Sequence, residues 1–201
     1  MTTTATEPGK ADRIGIRVIL GVGLAGGLIM AALGVFTAIT RVIDPARYPV
    51  SLLAHIPVAT GPGVIDAYGD SIVVRTSALS PGATWLLAAG DLIDALVIGV
   101  VTLCFAATLW GVAQRRPFHR SLPAAAIAAG SALGIGSLLA QGLGGIGRMM
   151  AADDLSDSLG GVVEPGFLFT PVPVVVGLGL IALAYVFRAG ARLQRDTEGL
   201  V

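Results

Sequence analysis

Uncharged stretches of membrane-spanning length dominate the hydrophobic pattern of this chain. Four of them contain no Asp, Glu, Lys or Arg: residues 18–40, 95–114, 121–147 and 165–187. A helix needs about 20 mainly apolar residues to cross roughly 30 Å of hydrocarbon. Lipid offers the backbone no hydrogen-bonding partner, so a segment that crosses it must satisfy its own polar groups, as a helix does. The pattern predicts an all-α integral membrane protein, a bundle of four transmembrane helices.

The polar positions between these stretches set the predicted domain organisation. We expect a disordered cytoplasmic N-terminus over 1–13, a single membrane domain over 14–195 and a cytoplasmic tail over 196–201. The membrane domain should contain an outer insert over 41–83 and an outer loop over 151–164. Its four helices are predicted at about 14–40, 84–114, 121–150 and 165–195.

The outer insert is predicted to be a small β-rich unit. Its runs 64–68 and 71–75 are rich in residues that favour strands, and they flank Gly69-Asp70. Glycine followed by a short polar residue between two such runs is typical of a two-residue hairpin turn. A further strand is predicted at 49–56. Because a lone hairpin is only marginally stable in water, the insert should pack on the second outer loop or on the helix ends.

Small residues recur at four-residue spacing in two of the predicted helices. Gly23 and Gly27 form such a pair in the first helix, and Ala126, Gly130 and Gly134 form a series in the third. Small residues let helices approach closely in lipid. We therefore expect the third helix to lie centrally, against the first or the second.

The charges are strongly segregated, although they amount to only 13% of the residues and sum to zero. Nine of the thirteen basic residues fall in the segments placed inside: Lys10, Arg13, Arg17, Arg115, Arg116, Arg120, Arg188, Arg192 and Arg195. Cationic segments resist translocation, so both termini are predicted to be cytoplasmic. Arginine greatly outnumbers lysine, and Ala and Gly are abundant, which indicates a bacterium with a GC-rich genome. With the four apolar runs, the predicted location is the bacterial inner membrane.

Polar side chains inside the predicted helices are the candidate functional residues: Asp91, Asp94, Gln141 and Arg148. The two aspartates are three residues apart and share one helix face. Ionisable groups within a membrane segment are costly and are often functional. The carboxylates could hold a cation or relay protons, or they could lie at the wet outer interface or pair with Arg148. Gln141 is expected to form a hydrogen bond between helices.

The sequence offers no pattern for catalysis or for cofactor binding. It contains no phosphate-binding glycine loop, zinc-ligand spacing or serine nucleophile motif. Its two histidines, His55 and His119, are placed on opposite sides of the membrane, and Cys104 is the only cysteine, so no internal disulfide can form. We expect a non-enzymatic protein without catalytic, metal-binding or cofactor-binding residues and without direct contact to nucleic acid.

The predicted inner surface carries a second set of candidate contact residues: Arg115, Arg116, Arg120, Arg188, Arg192, Arg195, Asp196, Glu198 and Val201. Anchoring to the anionic lipid of the bilayer explains the basic members, each contributing about 1 kcal/mol. A binding site for an acidic protein partner is the alternative.

The inner segments also resemble those of a known bacterial family. The loop after the second helix carries Pro117-Phe118. The chain ends in a Val-Phe-x-x-Gly-x-x-Leu pattern that begins at Val186, followed by acidic residues and the aliphatic pair Leu200-Val201. With the four-span layout, these features resemble the family catalogued as domain of unknown function 2975 (DUF2975). The resemblance implies a membrane protein without an established activity, some of whose relatives are encoded beside small helix-turn-helix regulators.

Two functions follow from these features. The first is a sensing or regulatory protein of the cell membrane whose acidic outer part meets envelope signals and whose inner ends bind a cytoplasmic partner, such as a helix-turn-helix regulator. The alternative is a small transporter or channel component built around Asp91, Asp94 and Gln141. Four spans are few for a monomeric carrier, so the alternative requires a homo-oligomer.

Overall fold

A computed structural model describes residues 10–57, 68–113 and 121–198. Its regular elements in chain order are α1 (Lys10–Ile43), β1 (Val50–Pro57), β2 (Tyr68–Val74), α2 (Pro81–Ala113), α3 (Ser121–Ser131), α4 (Ser137–Leu155), β3 (Val163–Glu164) and α5 (Val172–Glu198). A short 3-10 helix (Pro45–Arg47) precedes β1, and a π-helical turn (Ala132–Gly136) joins α3 to α4.

The described residues form two compact units. The first unit takes in residues 10–31, 97–113, 121–135 and 173–198. The second unit takes in residues 32–57, 68–96 and 136–172, and it contains the three strands.

Among the described residues, four helical stretches are long and apolar enough to cross a membrane: Val18–Ile43, Pro81–Gly111, Leu122–Leu155 and Val172–Ala189. Each stretch overlaps one of the four uncharged runs, so the prediction of four membrane-length helices is confirmed, although residues 165–171 of the last run precede α5. The helix α1 extends beyond its predicted bounds at both ends, and its last turn contains Arg41. A cation is favourable there, because the carbonyl groups of a helix C-terminus carry partial negative charge.

The third predicted helix is not one regular element. The π-helical turn Ala132–Gly136 divides it into α3 and α4, and such turns usually occur singly within a helix. The helix also continues beyond its predicted end at residue 150, since α4 runs through Asp153 and Asp154 to Leu155. Two acidic residues therefore belong to the helix rather than to the predicted outer loop.

The fourth predicted helix begins later than the uncharged run that predicts it. The run begins at residue 165, whereas α5 begins at Val172. Pro173 stands in the first turn, where a missing backbone N–H leaves no helical hydrogen bond unmade.

The three strands form one antiparallel sheet in the order β2-β1-β3. The predicted strand at 49–56 corresponds to β1, which pairs with β2 from Val50 opposite Val74 onwards. The predicted hairpin turn at Gly69-Asp70 is wrong, because both residues lie within β2 and Gly69 is paired with Ile56. Residues 64–67 of the predicted preceding strand lie outside the described part of the chain.

The sheet packs on the ends of two helices within the second unit. The core comprises Val50, Leu52, Ala83, Leu87, Ala151, Ala152, Leu155 and Val163. These residues come from β1, the start of α2, the end of α4 and β3. The sheet thus contacts the helix ends and, through β3, the segment predicted as the second outer loop. Such packing is expected, because a sheet this small is only marginally stable alone. The shared core holds α2 beside α4.

Close helix approaches in the first unit depend on glycine. A Cβ at Gly177 of α5 would lie 2.5 Å from the carbonyl oxygen of Gly130 of α3, so only glycine fits. A Cβ at Gly27 of α1 would collide with the side chain of Thr102, and one at Gly23 would touch Phe105 of α2. The predicted role of Gly23 and Gly27 in helix packing is confirmed.

Candidate functional site

An open cavity of about 240 Å³ lies in the second unit. Its polar lining comes from Arg41, Ser51, Asp91, Asp94, Gln141 and Arg148. All four polar residues that the sequence singles out within the helices are in this set. The structure therefore brings Asp91, Asp94, Gln141 and Arg148 together around one space, with Arg41 as a further charge.

A close contact between α2 and α4 places these side chains. A Cβ at Gly90 would lie 2.9 Å from the Cα of Gly144, so the two backbones touch here. Asp94 lies four residues after Gly90 on α2, while Gln141 and Arg148 lie three residues before and four residues after Gly144. Residues at such spacings share a helix face. The glycine contact thus leaves polar groups of both helices along the same cavity.

Arg41 forms the ion pair of the cavity. Its Nε donates to Oδ2 of Asp91 at 2.8 Å, and the two side chains are 10% and 33% exposed. The guanidinium also lies over the ring of Tyr48, 5.8 Å from the centroid. The Tyr48 hydroxyl accepts a hydrogen bond of 2.9 Å from Thr40, which fixes the ring beside the end of α1. Tyr48 and Thr40 thus help to position the Arg41 side chain for its ion pair with Asp91.

The sequence interpretation missed Arg41 as a site residue. It placed Arg41 in the outer insert, because the uncharged run ends at residue 40. It also offered Arg148 as the partner of the aspartates, whereas Asp91 pairs with Arg41. The signal that could have found Arg41 is the cost of two carboxylates within an apolar helix, which favours a cation on a neighbouring segment.

Gln141 uses both ends of its amide group on a single backbone position. Its Nε2 donates to the carbonyl oxygen of Thr170 at 3.1 Å, and its Oε1 accepts from the Thr170 N–H at 2.7 Å. Thr170 lies just before α5 in a segment without regular structure. The sequence predicts a hydrogen bond of Gln141 between helices, whereas its partner in the structure lies in the irregular segment before α5.

Asp94 and Arg148 complete the charged lining. The Arg148 side chain turns back along α4, where its Nη1 would be 3.9 Å from a Cβ placed at Gly144. Asp94 is exposed and Arg148 is half-buried. Neither forms a hydrogen bond or ion pair with another residue in the described part of the chain. Within that part of the chain, the cavity thus holds one paired and one unpaired charge of each sign.

Other candidate positions lie away from this cavity. Within the described ranges, no three His, Cys, Asp or Glu residues are grouped so that they could hold a metal ion. His55 stacks on Tyr68 across the sheet, with ring centroids 5.0 Å apart. Cys104 is a half-buried thiol in α2 and belongs to the first unit.

The predicted inner contact residues are only partly covered by the structure. Arg115, Arg116, Arg120 and Val201 lie outside the described residues. Arg188 is exposed on α5. The backbone of α5 includes Arg192, Arg195, Asp196 and Glu198, whose side chains lie outside the described part.

Comparison of the chain with models of protein families, with curated proteins and with solved structures finds no match. The cavity and the helices around it are therefore the features that indicate a function. Two guanidinium groups, two carboxylates, an amide and Ser51 line a small space that is otherwise bordered by glycine, alanine, proline and aliphatic residues. Such a lining is suited to binding a small polar compound by ion pairs and hydrogen bonds.

Proposed function

We propose that this chain is a multi-pass protein of a bacterial plasma membrane, with four spans and with both termini in the cytoplasm. Support comes from the four apolar helices and from the apolar side chains exposed on their surfaces. Large apolar side chains such as Val22, Leu103 and Val176 are about half exposed or more on the helix surfaces. Exposed apolar area on this scale is costly in water, and lipid removes the cost. The excess of basic residues in the inner segments supports the orientation.

We further propose that the protein acts as a non-enzymatic sensor that binds a small polar compound in the cavity. The observation that carries this proposal is the convergence of Arg41, Asp91, Asp94, Gln141 and Arg148 on one open space. Ionisable residues are rare in membrane helices unless they serve a polar pathway or a ligand. In the proposed orientation, the end of α1 that holds Arg41 lies on the outer side, where a compound from the envelope would enter.

The partner in this proposal is a cytoplasmic protein bound by the inner ends. The resemblance of the C-terminal segment and of Pro117-Phe118 to the DUF2975 family supports a small helix-turn-helix regulator as that partner. Membership in the family stays a prediction. Binding to anionic lipid would use the basic residues of the same inner segments. The acidic tail 196–201 would bind the protein partner but not the anionic lipid.

Deletion of residues 196–201 tests the partner proposal. The shortened chain should still insert into the membrane, but it should no longer capture a cytoplasmic protein when both forms are purified from native membranes and analysed by mass spectrometry. A chain that lacks residues 2–7 is the matched control and should capture the same protein as the full chain. Unchanged capture after the C-terminal deletion contradicts the proposal.

A second candidate function is a transporter or channel component that acts as a homo-oligomer. Its support is the position of Asp91 and Asp94 in the lining of a cavity between helices of membrane-spanning length. The test is flux of protons and monovalent cations in reconstituted vesicles. Flux that is above background and falls in both Asp91→Asn and Asp94→Asn supports transport. Flux at background for the unaltered chain removes this candidate.

A further inference from the structure

The polar groups of the cavity fall into two sets according to their partners. Arg41 is occupied by Asp91, and both ends of the Gln141 amide are occupied by the backbone of Thr170. Asp94 and Arg148 line the same cavity and have no hydrogen-bonding or ionic partner among the described residues. The cavity therefore offers one carboxylate and one guanidinium, on α2 and α4, for interactions with something else.

We propose that the cavity binds a small zwitterion of amino-acid type, with its carboxylate on Arg148 and its ammonium on Asp94. This inference rests on the proposed sensor function and specifies its ligand. A guanidinium presents a planar pair of N–H donors that fits a carboxylate, and an ionised carboxylate accepts hydrogen bonds from an ammonium group. The two charged ends of one ligand would thus satisfy the two unpaired residues together.

The charge balance of the cavity favours a zwitterion over an anion or a cation. Arg41, Arg148, Asp91 and Asp94 sum to zero, so a ligand without net charge leaves the site neutral. A simple anion would pair with Arg148 but would stand near two carboxylates. A simple cation would leave Arg148 unpaired. Unpaired charge beside apolar helices is unfavourable, and this unfavourable term gives the site its specificity.

The size of the cavity limits the ligand to a small metabolite. Its volume of about 240 Å³ is below the range of roughly 300–1,000 Å³ that is common for pockets that hold drug-sized compounds. The close contact of Gly90 with Gly144 forms part of the wall and leaves no side chain in the space. An amino acid with a small or medium side chain fits these limits.

The two occupied groups serve as supports in this arrangement. Because Arg41 pairs with Asp91, Asp94 is the carboxylate of the cavity that remains for an ammonium group. Gln141 fixes the segment before α5 beside the cavity. Arg148 and Asp94 are therefore the residues whose change should alter ligand binding most directly.

The experiment measures binding of the twenty α-amino acids to the purified full chain in detergent, by thermal stabilisation and then by calorimetry. Arg148→Gln and Asp94→Asn should each weaken binding of the preferred amino acid by about tenfold or more, because each removes one charged hydrogen-bonding partner. Arg75→Gln and Asp153→Asn, which remove exposed charges elsewhere in the second unit, should leave affinity unchanged. Arg148→Lys and Asp94→Glu should retain more affinity than the neutral variants.

Matched single-charge probes complete the test. The amine and the carboxylic acid that correspond to the preferred amino acid should each bind at least about tenfold more weakly than the zwitterion. The proposal is overturned if no α-amino acid binds at millimolar concentration, if neither neutral variant weakens binding, or if one single-charge probe binds as well as the zwitterion. Partner capture through residues 196–201 is measured separately, so failure of the ligand assignment and failure of the partner proposal are distinguishable.

Discussion

The Nε of Arg41 donates a hydrogen bond of 2.8 Å to Oδ2 of Asp91 and thereby joins the last turn of α1 to α2. The arginine is nearly buried and the aspartate is one-third exposed. A hydrogen bond between two charged groups is about twice as strong as one between neutral groups. The pair therefore contributes to the position of the two helices as well as to the cavity lining.

Removing either member of this pair should destabilise the protein. Arg41→Gln and Asp91→Asn should each lower the free energy of unfolding by about 1–3 kcal/mol, between the values for exposed and for fully buried pairs. Unfolding in detergent, followed by helix content, measures the change. The loss of unfolding free energy in the double variant should be smaller than the sum of the losses in the two single variants. Additive costs would mean that the pair does not contribute as a pair.

Alanine substitutions at the two glycines that form the contact between α2 and α4 should have different effects on stability. A Cβ at Gly90 would lie 2.9 Å from backbone atoms of Gly144, whereas a Cβ at Gly144 would have no neighbour closer than 3.9 Å. Gly90→Ala should destabilise by about 1–3 kcal/mol, because backbone must move. Gly144→Ala should be neutral or stabilise by up to about 1 kcal/mol, since alanine favours the helix. Equal effects in thermal unfolding would contradict this geometry.

A similar asymmetry is expected between two glycines of α5. Gly177→Ala should destabilise by about 1–3 kcal/mol, because its Cβ would lie 2.5 Å from the Gly130 carbonyl oxygen and 2.7 Å from the Gly134 nitrogen. Gly179→Ala is the matched control, since a Cβ there has no neighbour within 4 Å. Thermal unfolding in detergent compares the two variants. A tolerated Gly177→Ala would show that α5 does not approach α3 this closely.

Gln141 should protect the backbone of Thr170 from exchange with solvent. Gln141→Met keeps the length of the side chain but removes both hydrogen bonds to Thr170. The Thr170 amide should then exchange faster, and stability should fall by about 0.5–1.5 kcal/mol. Hydrogen–deuterium exchange with mass spectrometry measures the protection. Leu138→Met, an exposed change on the same helix, should leave it unaltered.

Hydrophobic length was sufficient to predict the helices, because it depends only on local sequence. The uncharged runs identify all four membrane-length helices, and the β-rich insert is also confirmed. The prediction of a hairpin turn at Gly69-Asp70 was wrong because glycine and aspartate also occur within strands. The pairing of β2 depends on residues of β1 that are distant in sequence. The predicted helix ends were wrong where charged residues such as Arg41 and Asp153 extend a helix beyond its apolar run.

The candidate site could be predicted only as a set of unusual residues. Asp91, Asp94, Gln141 and Arg148 stand out because polar groups in long apolar helices are costly. Their arrangement depends on which helices touch, and that is decided by contacts such as Gly90 with Gly144. The sequence therefore indicates members of the site. The ion pair of Asp91 with Arg41, and the lack of such a partner for Asp94 among the described residues, emerge only from the fold.

Labelling of introduced cysteines tests the four-span, inside-ended topology most directly. In a Cys104→Ala chain, a membrane-impermeant maleimide is applied to right-side-out membrane vesicles that carry Asp70→Cys, Asp157→Cys, Thr3→Cys or Thr197→Cys. The account predicts labelling of residues 70 and 157 in intact vesicles, and labelling of residues 3 and 197 only after the membrane is opened. Labelling of either terminus in intact vesicles, or release of the chain from the membrane by alkaline washing, would contradict it.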